Sequence, residues 1–388
     1  MSLTGSVFLD GVILVTVVVF LAVVALWPRL TGPTGWHVLG RVGALGVVNV
    51  LVLLTAATQL NAAYLFYSGW GDLRGALTGH VVETSLHRGG AEQSAADLAV
   101  HGHAAAVATH VTALAKPVGP TGLVAYTVHG ELSGLTGTVL VQLPPGYTSP
   151  AAAGQRYPVL EAFHGYPSTP SNWIKVFHLD QFVDHAVAQH QLRAPLLVMP
   201  QIEIPRGVDT EGVNGQPGQP QVETWLDHDV PAWLGQHFRV EPNRDGWATI
   251  GYSAGGFDAA MSTLLHPAQY GVGIVLGGYF RPDFGPFYQP FAENSALGRH
   301  YDLPRQVTRR PPPVALWMET SHADVLSYSS SARFLHAVRP PLAVHAVVLR
   351  NAGHRDSVWI ALLPEALRWL GQAVHGFAPS ASSSGTAG

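Results

Sequence analysis

Gly251-Tyr252-Ser253-Ala254-Gly255-Gly256 follows a short apolar run, residues 247–250, and opens a second apolar stretch of helical spacing, residues 254–266. Gly-x-Ser-x-Gly between a strand and a helix is the arrangement that lifts a serine hydroxyl above a sheet edge as a nucleophile. The glycines answer a steric need, because side chains two positions either side of the serine would collide in so tight a turn. A serine hydroxyl attacks only when a base takes its proton, and the base needs an acid to orient it. In this strand–turn–helix setting the acid and then the histidine come later in the chain. His354, in Asn351-Ala352-Gly353-His354-Arg355-Asp356, follows the last β-rich run and precedes the last amphipathic one, as that order requires. Two acids follow residues 314–318: Glu319, expected at the strand end, and Asp324, in a loop with room to reach across. Asp324 is the favoured acid and Glu319 its alternative. Asp356 comes after the histidine, too late in chain order.

Acyl transfer through such a serine develops an oxyanion, which needs preorganised donors. One is the backbone N–H of Ala254, at the start of the following helix, where unpaired N–H groups point at the site. The loop after residues 158–163 reads His164-Gly165-Tyr166-Pro167. It supplies the second donor, the N–H of Tyr166, since Pro167 has none. His164 is expected to shape that loop.

These residues need a scaffold, and the sequence beyond Thr121 supplies one. β-rich runs are expected over 123–129, 138–143, 158–163, 195–199, 247–250, 272–276, 314–318 and 343–349. The first two, joined through a Gly-containing stretch, read as an antiparallel hairpin. The later runs are almost wholly apolar, which fits strands covered on both faces. Helices are expected over 173–191, 223–237, 254–266, 328–337 and 358–374; in the second, Leu226, Val230, Trp233 and Leu234 make one apolar face. The alternation predicts a mostly parallel eight-stranded α/β sheet with helices on both sides. Function then sits at the carboxyl ends of the strands.

The remainder of the chain is of another kind. Only 12% of the 388 residues are charged and 47% are hydrophobic, against about a quarter charged in soluble proteins. Residues 7–27 are almost wholly apolar, with Asp10 the one ionisable group, and as a helix they would cross a ~30 Å hydrocarbon layer. A second apolar run covers 42–66, interrupted by Asn49, Gln59 and Asn61. A cleaved signal peptide fits poorly, as no Lys or Arg precedes the first run and no small-residue cleavage site closes it. Two transmembrane helices are therefore expected in a membrane region over residues 1–68. Arg29 and Arg41 lie in the connecting loop, while the first ten residues hold no Lys or Arg. The positive-inside rule places the loop in the cytoplasm and the catalytic body outside.

Residues 69–120 read as a juxtamembrane connector with a helix around 91–115, residues 121–376 as the catalytic domain, and residues 377–388 as a disordered tail. His101, His103 and His110 lack acidic partners at a ligand spacing, so solvated histidines are expected there and no metal. The net charge of −4 gives no case for nucleic acid. The absence of cysteine excludes disulfides, thiol catalysis and Cys-ligated metals. The 42 glycines and 29 prolines form no periodic run, which excludes a collagen-like chain.

Several blocks of the body add up to a resemblance: YPVLEAFHGYPS, LLVMPQIE, ETWLDHDVPAWL, GYSAGGFDAAMSTLLHPAQYG and GHRDSVWIALLPEALRWL. They resemble the esterase D / mycolyltransferase family of α/β-hydrolases, which includes the antigen 85 enzymes. The likeness covers about 123–370, is strongest around Ser253, and leaves the membrane region outside. It implies an α/β-hydrolase fold, a Ser–acid–His triad on Ser253, Asp324 and His354, oxyanion donors on Tyr166 and Ala254, and acyl-ester chemistry without a cofactor. Ala254 stands where methionine is common in the family, and the segment around Asp324 departs most from the pattern.

Two long stretches adjoin the expected site. Residues 205–220 carry Arg206, Asp209 and Glu211; residues 281–313 carry Phe284, Phe287, Tyr288 and Phe291. Each reads either as a lid with an apolar inner face or as a packed surface excursion. The function expected is a membrane-anchored serine esterase acting on acyl or lipid-type esters. The alternatives are an acyltransferase onto a sugar or lipid alcohol, and a non-catalytic envelope protein of this fold.

Overall fold

In the computed structural model, which describes residues 3, 5–64, 66–67, 69–78, 84–85, 113–117, 122–285 and 288–379, every β-rich run expected beyond Thr121 is a strand. In chain order the strands are β1 (Thr84–Ser85), β2 (Ala113–Pro117), β3 (Leu123–His129), β4 (Thr136–Gln142), β5 (Val159–Phe163), β6 (Leu196–Pro200), β7 (Trp247–Tyr252), β8 (Val272–Leu276), β9 (Ala315–Ser321) and β10 (Ala343–Leu349). They form one sheet in the order β1-β10-β9-β8-β7-β5-β6-β4-β3-β2. Pairing is parallel from β10 through β9, β8, β7 and β5 to β6, and antiparallel at β4 and β3.

The expected eight strands gain an antiparallel edge strand on each side, β1 on β10 and β2 on β3. Neither was signalled. β1 is two residues long, and β2 reads Ala-Leu-Ala-Lys-Pro, a composition as suited to a helix. Residues 113–115, expected to end a connector helix, are therefore strand. The rest of that helix, with His101, His103 and His110, lies outside the described residues.

Both sheet faces are covered, as continuous apolar strands require. On β9, Trp317 enters a core with the helices Leu179–Ala188 and Asp356–Ala373, while Leu316 and Met318 enter another with the helix Ala254–Leu265. Thr249 on β7 donates to Ala259 O (2.9 Å) and meets Thr263 Oγ1 at 2.8 Å, which ties the central strand to the helix that follows it.

Two expected helices are broken, each for a local reason. The one over 173–191 divides into Asn172–Lys175 and Leu179–Ala188, with His178 left-handed at φ 51° between them. The break turns Phe177 fully into the core. The one over 223–237 opens into a π-turn at Trp225–Asp229 before the α-helix Val230–His237. Pro231 has no N–H for the regular bond to Asp227 O, so the turn widens there.

At the amino end, the helix Ser6–Leu26 and a 3-10 turn Trp27–Leu30 lead to the helix Gly35–Tyr64, which starts earlier than the expected 42 and takes Arg41 inside it. By length and composition Ser6–Leu30 and Gly35–Ala62, 25 and 28 residues long, are able to cross a membrane, and their apolar side chains are largely exposed. They touch through Thr16 Oγ1 and Thr55 Oγ1 at 2.8 Å; one hydroxyl donates across to the other, which donates in turn to a carbonyl of its own helix, Val12 O or Leu51 O at 2.8 Å. Interhelical hydrogen bonds of this kind join helices where water offers no competing partner.

Phe377, at the head of the segment expected as a tail, is fully buried, and Phe377 O accepts from Arg193 N (2.9 Å). Phe377→Ala should cost about 3–5 kcal/mol of stability in a denaturant melt, as core aromatics do; a change near zero would return it to a tail.

Candidate active site

Ser253 stands between β7 and the helix Ala254–Leu265 at φ 56° and ψ −123°. This positive-φ conformation is costly for a residue with a Cβ and persists only where its surroundings enforce it. They do so on both sides. A Cβ on Gly251 would lie 1.7 Å from Gly255 O, and one on Gly255 would lie 2.2 Å from Phe163 O. Ser253 N donates to Leu276 O (3.0 Å) at the end of β8, and Ser253 O accepts from Gly256 N and Phe257 N. Beneath the turn, Tyr252 stacks on Phe177 (4.3 Å between centroids) and meets Trp173 and Trp359. The Tyr252 hydroxyl is 2.9 Å from Ser168 Oγ.

His354, on the loop after β10, brings Nε2 to 2.8 Å from Ser253 Oγ and Nδ1 to 2.9 Å from Asp324 Oδ2. Trp359 meets the imidazole edge-on at 4.8 Å, and Ala352 N donates to Ser321 Oγ (3.0 Å), which fixes the loop to β9. Asp324 accepts further bonds from Ser327 Oγ (2.7 Å), Leu326 N (3.1 Å) and Ser327 N (3.3 Å). Burial pushes its acidity the other way, but the bonds from His354 and Ser327 hold the carboxyl below its ordinary range. With Asp324 ionised and accepting a hydrogen bond from Nδ1–H, Nε2 is left as the acceptor for the serine O–H.

Glu319 is on β9, as its strand-end expectation has it, and accepts from Gly277 N (3.0 Å), away from the imidazole. Burial first, and then the neighbouring charge of Asp324, push it up to about 8. Two carboxyls a few residues apart thus have opposite ionisation.

Of the two expected oxyanion donors, Ala254 has the first N–H of its helix, which no helical carbonyl can accept. Tyr166 lies on the loop that passes over the serine, since a Cβ on Gly165 would meet Ser253 Cβ at 3.2 Å. That loop is held by His164, fully buried, whose Nδ1 donates to Gly165 O (2.8 Å) and whose Nε2 accepts from Ile202 N (3.3 Å). Burial lowers its pKa to about 4, so it is neutral and shapes the loop.

The two long stretches are largely packed. Glu203 accepts from Ser168 N and Gly207 N, and Glu211 is buried and accepts from the Tyr279 hydroxyl. Burial, with Glu203 and Asp283 nearby, pushes Asp209 up to about 7. In the second stretch Phe291, Tyr301, Leu303 and Val307 join the core behind the helix Ala254–Leu265; Phe287 lies outside the described residues. An open cleft of about 680 Å³ remains between Arg281, Phe284, Phe291, Leu326 and Ser330, reaching the loop that holds Asp324. At the far end of the helix Ala254–Leu265, His266 Nε2 lies 2.9 Å from Glu223 Oε1 and 3.4 Å from Asp227 Oδ2. Among the described residues this is the one trio with donor atoms close enough to share a cation.

Ser327 and Trp359 had no signal in the sequence: both contact the site only because strand ends meet in space. Among the positions singled out, Ser253, His354 and Asp324 come together, Tyr166 and Ala254 flank them, and Glu319 does not reach the histidine.

The sheet order, with the serine, acid and histidine after β7, β9 and β10, defines an α/β-hydrolase-like fold. The Esterase family model matches residues 134–370, more than half of the chain. The chain belongs to the Esterase family. It is 26% identical over 253 residues to an uncharacterized protein of Corynebacterium glutamicum, which covers 59% of this chain and 55% of that one. It is 26% identical over 163 residues to an endo-1,4-beta-xylanase/feruloyl esterase of Xylanibacter ruminicola, covering 40% of this chain and 22% of that one. The chain thus spans about half or less of the length of the curated relatives it matches. Among solved structures, an S-formylglutathione hydrolase from Agrobacterium tumefaciens superposes with a TM-score of 0.54 at 17% identity, covering 69% of this chain and 100% of the other. That likeness is one of fold.

The Glu319 acidity carries a testable sign. Its folded value, about 8, exceeds the ordinary 4.5, so between them the folded state holds a proton that the unfolded chain releases. Stability should therefore fall as pH rises from about 5 through 8. Glu319→Gln should flatten that fall in melting temperature against pH; parallel curves for the two proteins would contradict it.

Proposed function

We propose that the chain is a membrane-anchored serine esterase that cleaves acyl esters through a Ser253 acyl-enzyme. The observation that carries the reading is the continuous pair of contacts from Ser253 Oγ to His354 Nε2 (2.8 Å) and from His354 Nδ1 to Asp324 Oδ2 (2.9 Å). Ser253 Oγ attacks the ester carbonyl while Nε2 takes its proton, and Asp324 stabilises the imidazolium so formed. The carbonyl oxygen becomes an oxyanion and turns to the N–H groups of Ala254 and Tyr166. Nε2 then gives its proton to the departing alkoxide, leaving the acyl group on Ser253. In the second half, water loses a proton to Nε2 and attacks the acyl-enzyme, and Ser253 recovers the proton as the acid departs.

The family match supports ester chemistry. The two apolar N-terminal helices support anchoring, with Arg29 and Arg41 on the cytoplasmic side and the body outside. The domain reading that follows is an anchor, a connector and a catalytic body that includes Phe377.

A fluorophosphonate probe should label wild type on Ser253, and Ser253→Ala should lose the adduct. No wild-type label, or an undiminished one in the variant, would sink the esterase reading. Asp324→Asn should lower kcat by about 10⁴-fold with KM little changed, because the imidazole loses its orienting charge. Product analysis with and without an added alcohol separates hydrolysis from transfer: free acid alone supports the esterase, an acylated alcohol the transferase.

A further inference from the structure

Arg355 follows His354 directly, yet its guanidinium points away from the reaction toward the segment that leaves the second apolar helix. Nη1 and Nη2 meet Asp72 Oδ2 and Oδ1 at 2.6 Å each, with both side chains under a tenth exposed. Nη1 also donates to Phe66 O (3.2 Å), and the guanidinium lies 5.3 Å from the Tyr67 ring centre. Tyr67 is held by the helix itself: its N–H donates to Asn61 Oδ1 (2.8 Å) and its carbonyl accepts from Asn61 Nδ2 (3.1 Å). A line of bonds therefore runs from the last turn of the helix Gly35–Tyr64 through Tyr67, Phe66 and Asp72 to the residue beside the histidine.

The contact is close enough to dictate the loop. A Cβ on Gly353 would lie 2.7 Å from Phe66 O and 2.7 Å from Asp72 Oδ2. The glycine before the histidine is thus explained by what packs on it. Trp70 meets Phe8 of the first apolar helix at 5.5 Å, so both helix ends converge on the same short segment. Apolar side chains are exposed on this segment, at Phe66 and Trp70, and just after Asp324, at Val325 and Leu326.

We propose that the Asp72–Arg355 pair clamps the histidine loop to the exit of the membrane hairpin, so that the site takes esters carried in the bilayer and cleaves them at headgroup depth. Asp72 and Arg355 are positioning residues. The span ends within a few residues of Phe66, whose carbonyl already bonds Arg355, leaving no tether on which the site could reach far into water. Tryptophan and apolar groups around such an exit suit the interface between headgroups and acyl chains. The proposal rests on the esterase reading above.

The test uses the full chain in phosphatidylcholine vesicles with two fluorogenic esters of one alcohol, a water-soluble acetate and a bilayer-partitioning oleate. Wild type should turn over the vesicle-borne oleate at least about tenfold more efficiently than the acetate. Asp72→Asn should lose about tenfold or more on the oleate, while its acetate rate stays within about threefold of wild type, because Ser321, Asp324 and Trp359 still hold the histidine and only the docking to the hairpin exit is lost. Asp72→Glu should retain both rates, because it keeps a carboxylate opposite Arg355. Equal losses on both esters, no change in Asp72→Asn, or no wild-type preference for the oleate would overturn the clamp while leaving the esterase standing. Absence of wild-type turnover together with absence of Ser253 labelling would remove the esterase reading first, and the clamp with it.

Discussion

A serine held at φ 56° is the constraint around which the body is built. That backbone conformation returns energy if released, so every neighbour must forbid the release. The glycines at 251 and 255 permit the carbonyl of one turn to approach the other, and the Phe163 carbonyl closes the remaining space. Below it, Tyr252, Phe177, Trp173 and Trp359 form a rigid aromatic floor. Trp359 belongs to both this floor and the wall against which the imidazole rests. Ser253 and His354 are thus located by one packed cluster, which favours a fixed separation over one that drifts with loop motion.

Electrostatics then sort the carboxyls. Asp324, with donors from Ser327, Leu326 and His354, holds its charge despite burial. Glu319, whose bonds from Gly277 N and the Trp359 side chain do not offset its burial and the charge of Asp324, gives its charge up. Charging both would set like charges side by side in a dry interior, so the ionised partner of the histidine helps to keep the other acid neutral. The geometry thereby supplies one negative charge opposite the imidazole.

Much of this arrangement is legible in the sequence because chain order on this fold is strict. A glycine-flanked serine after one strand and a histidine after the last strand place themselves, and alternating runs give the sheet that spaces them. The choice between Glu319 and Asp324 turns on where β9 ends, a boundary that local pattern defines poorly. Contacts between distant residues are invisible to spacing: Asp72 and Arg355 are 283 positions apart, and nothing near Asp72 announces a partner. The edge strands escape notice for other reasons: β1 is two residues long and its partner β10 lies far along the chain, while β2, beside the next strand in sequence, has a composition as suited to a helix. Pro231 is visible in the sequence, but its effect, a widened turn in place of a helix end, depends on the packing of Trp225 and Leu226.

His164 has one remaining consequence. Its neutral ring gives at Nδ1 and receives at Nε2, and a pKa of about 4 preserves that polarity across all mildly acidic conditions. The segment over the serine is consequently insulated from ordinary acidification. Below that threshold the second nitrogen gains a proton, its bond with Ile202 reverses into a clash of two donors, and the loop loses its inner strut. Acid tolerance in this molecule would thus be bounded by a histidine that takes no part in the reaction.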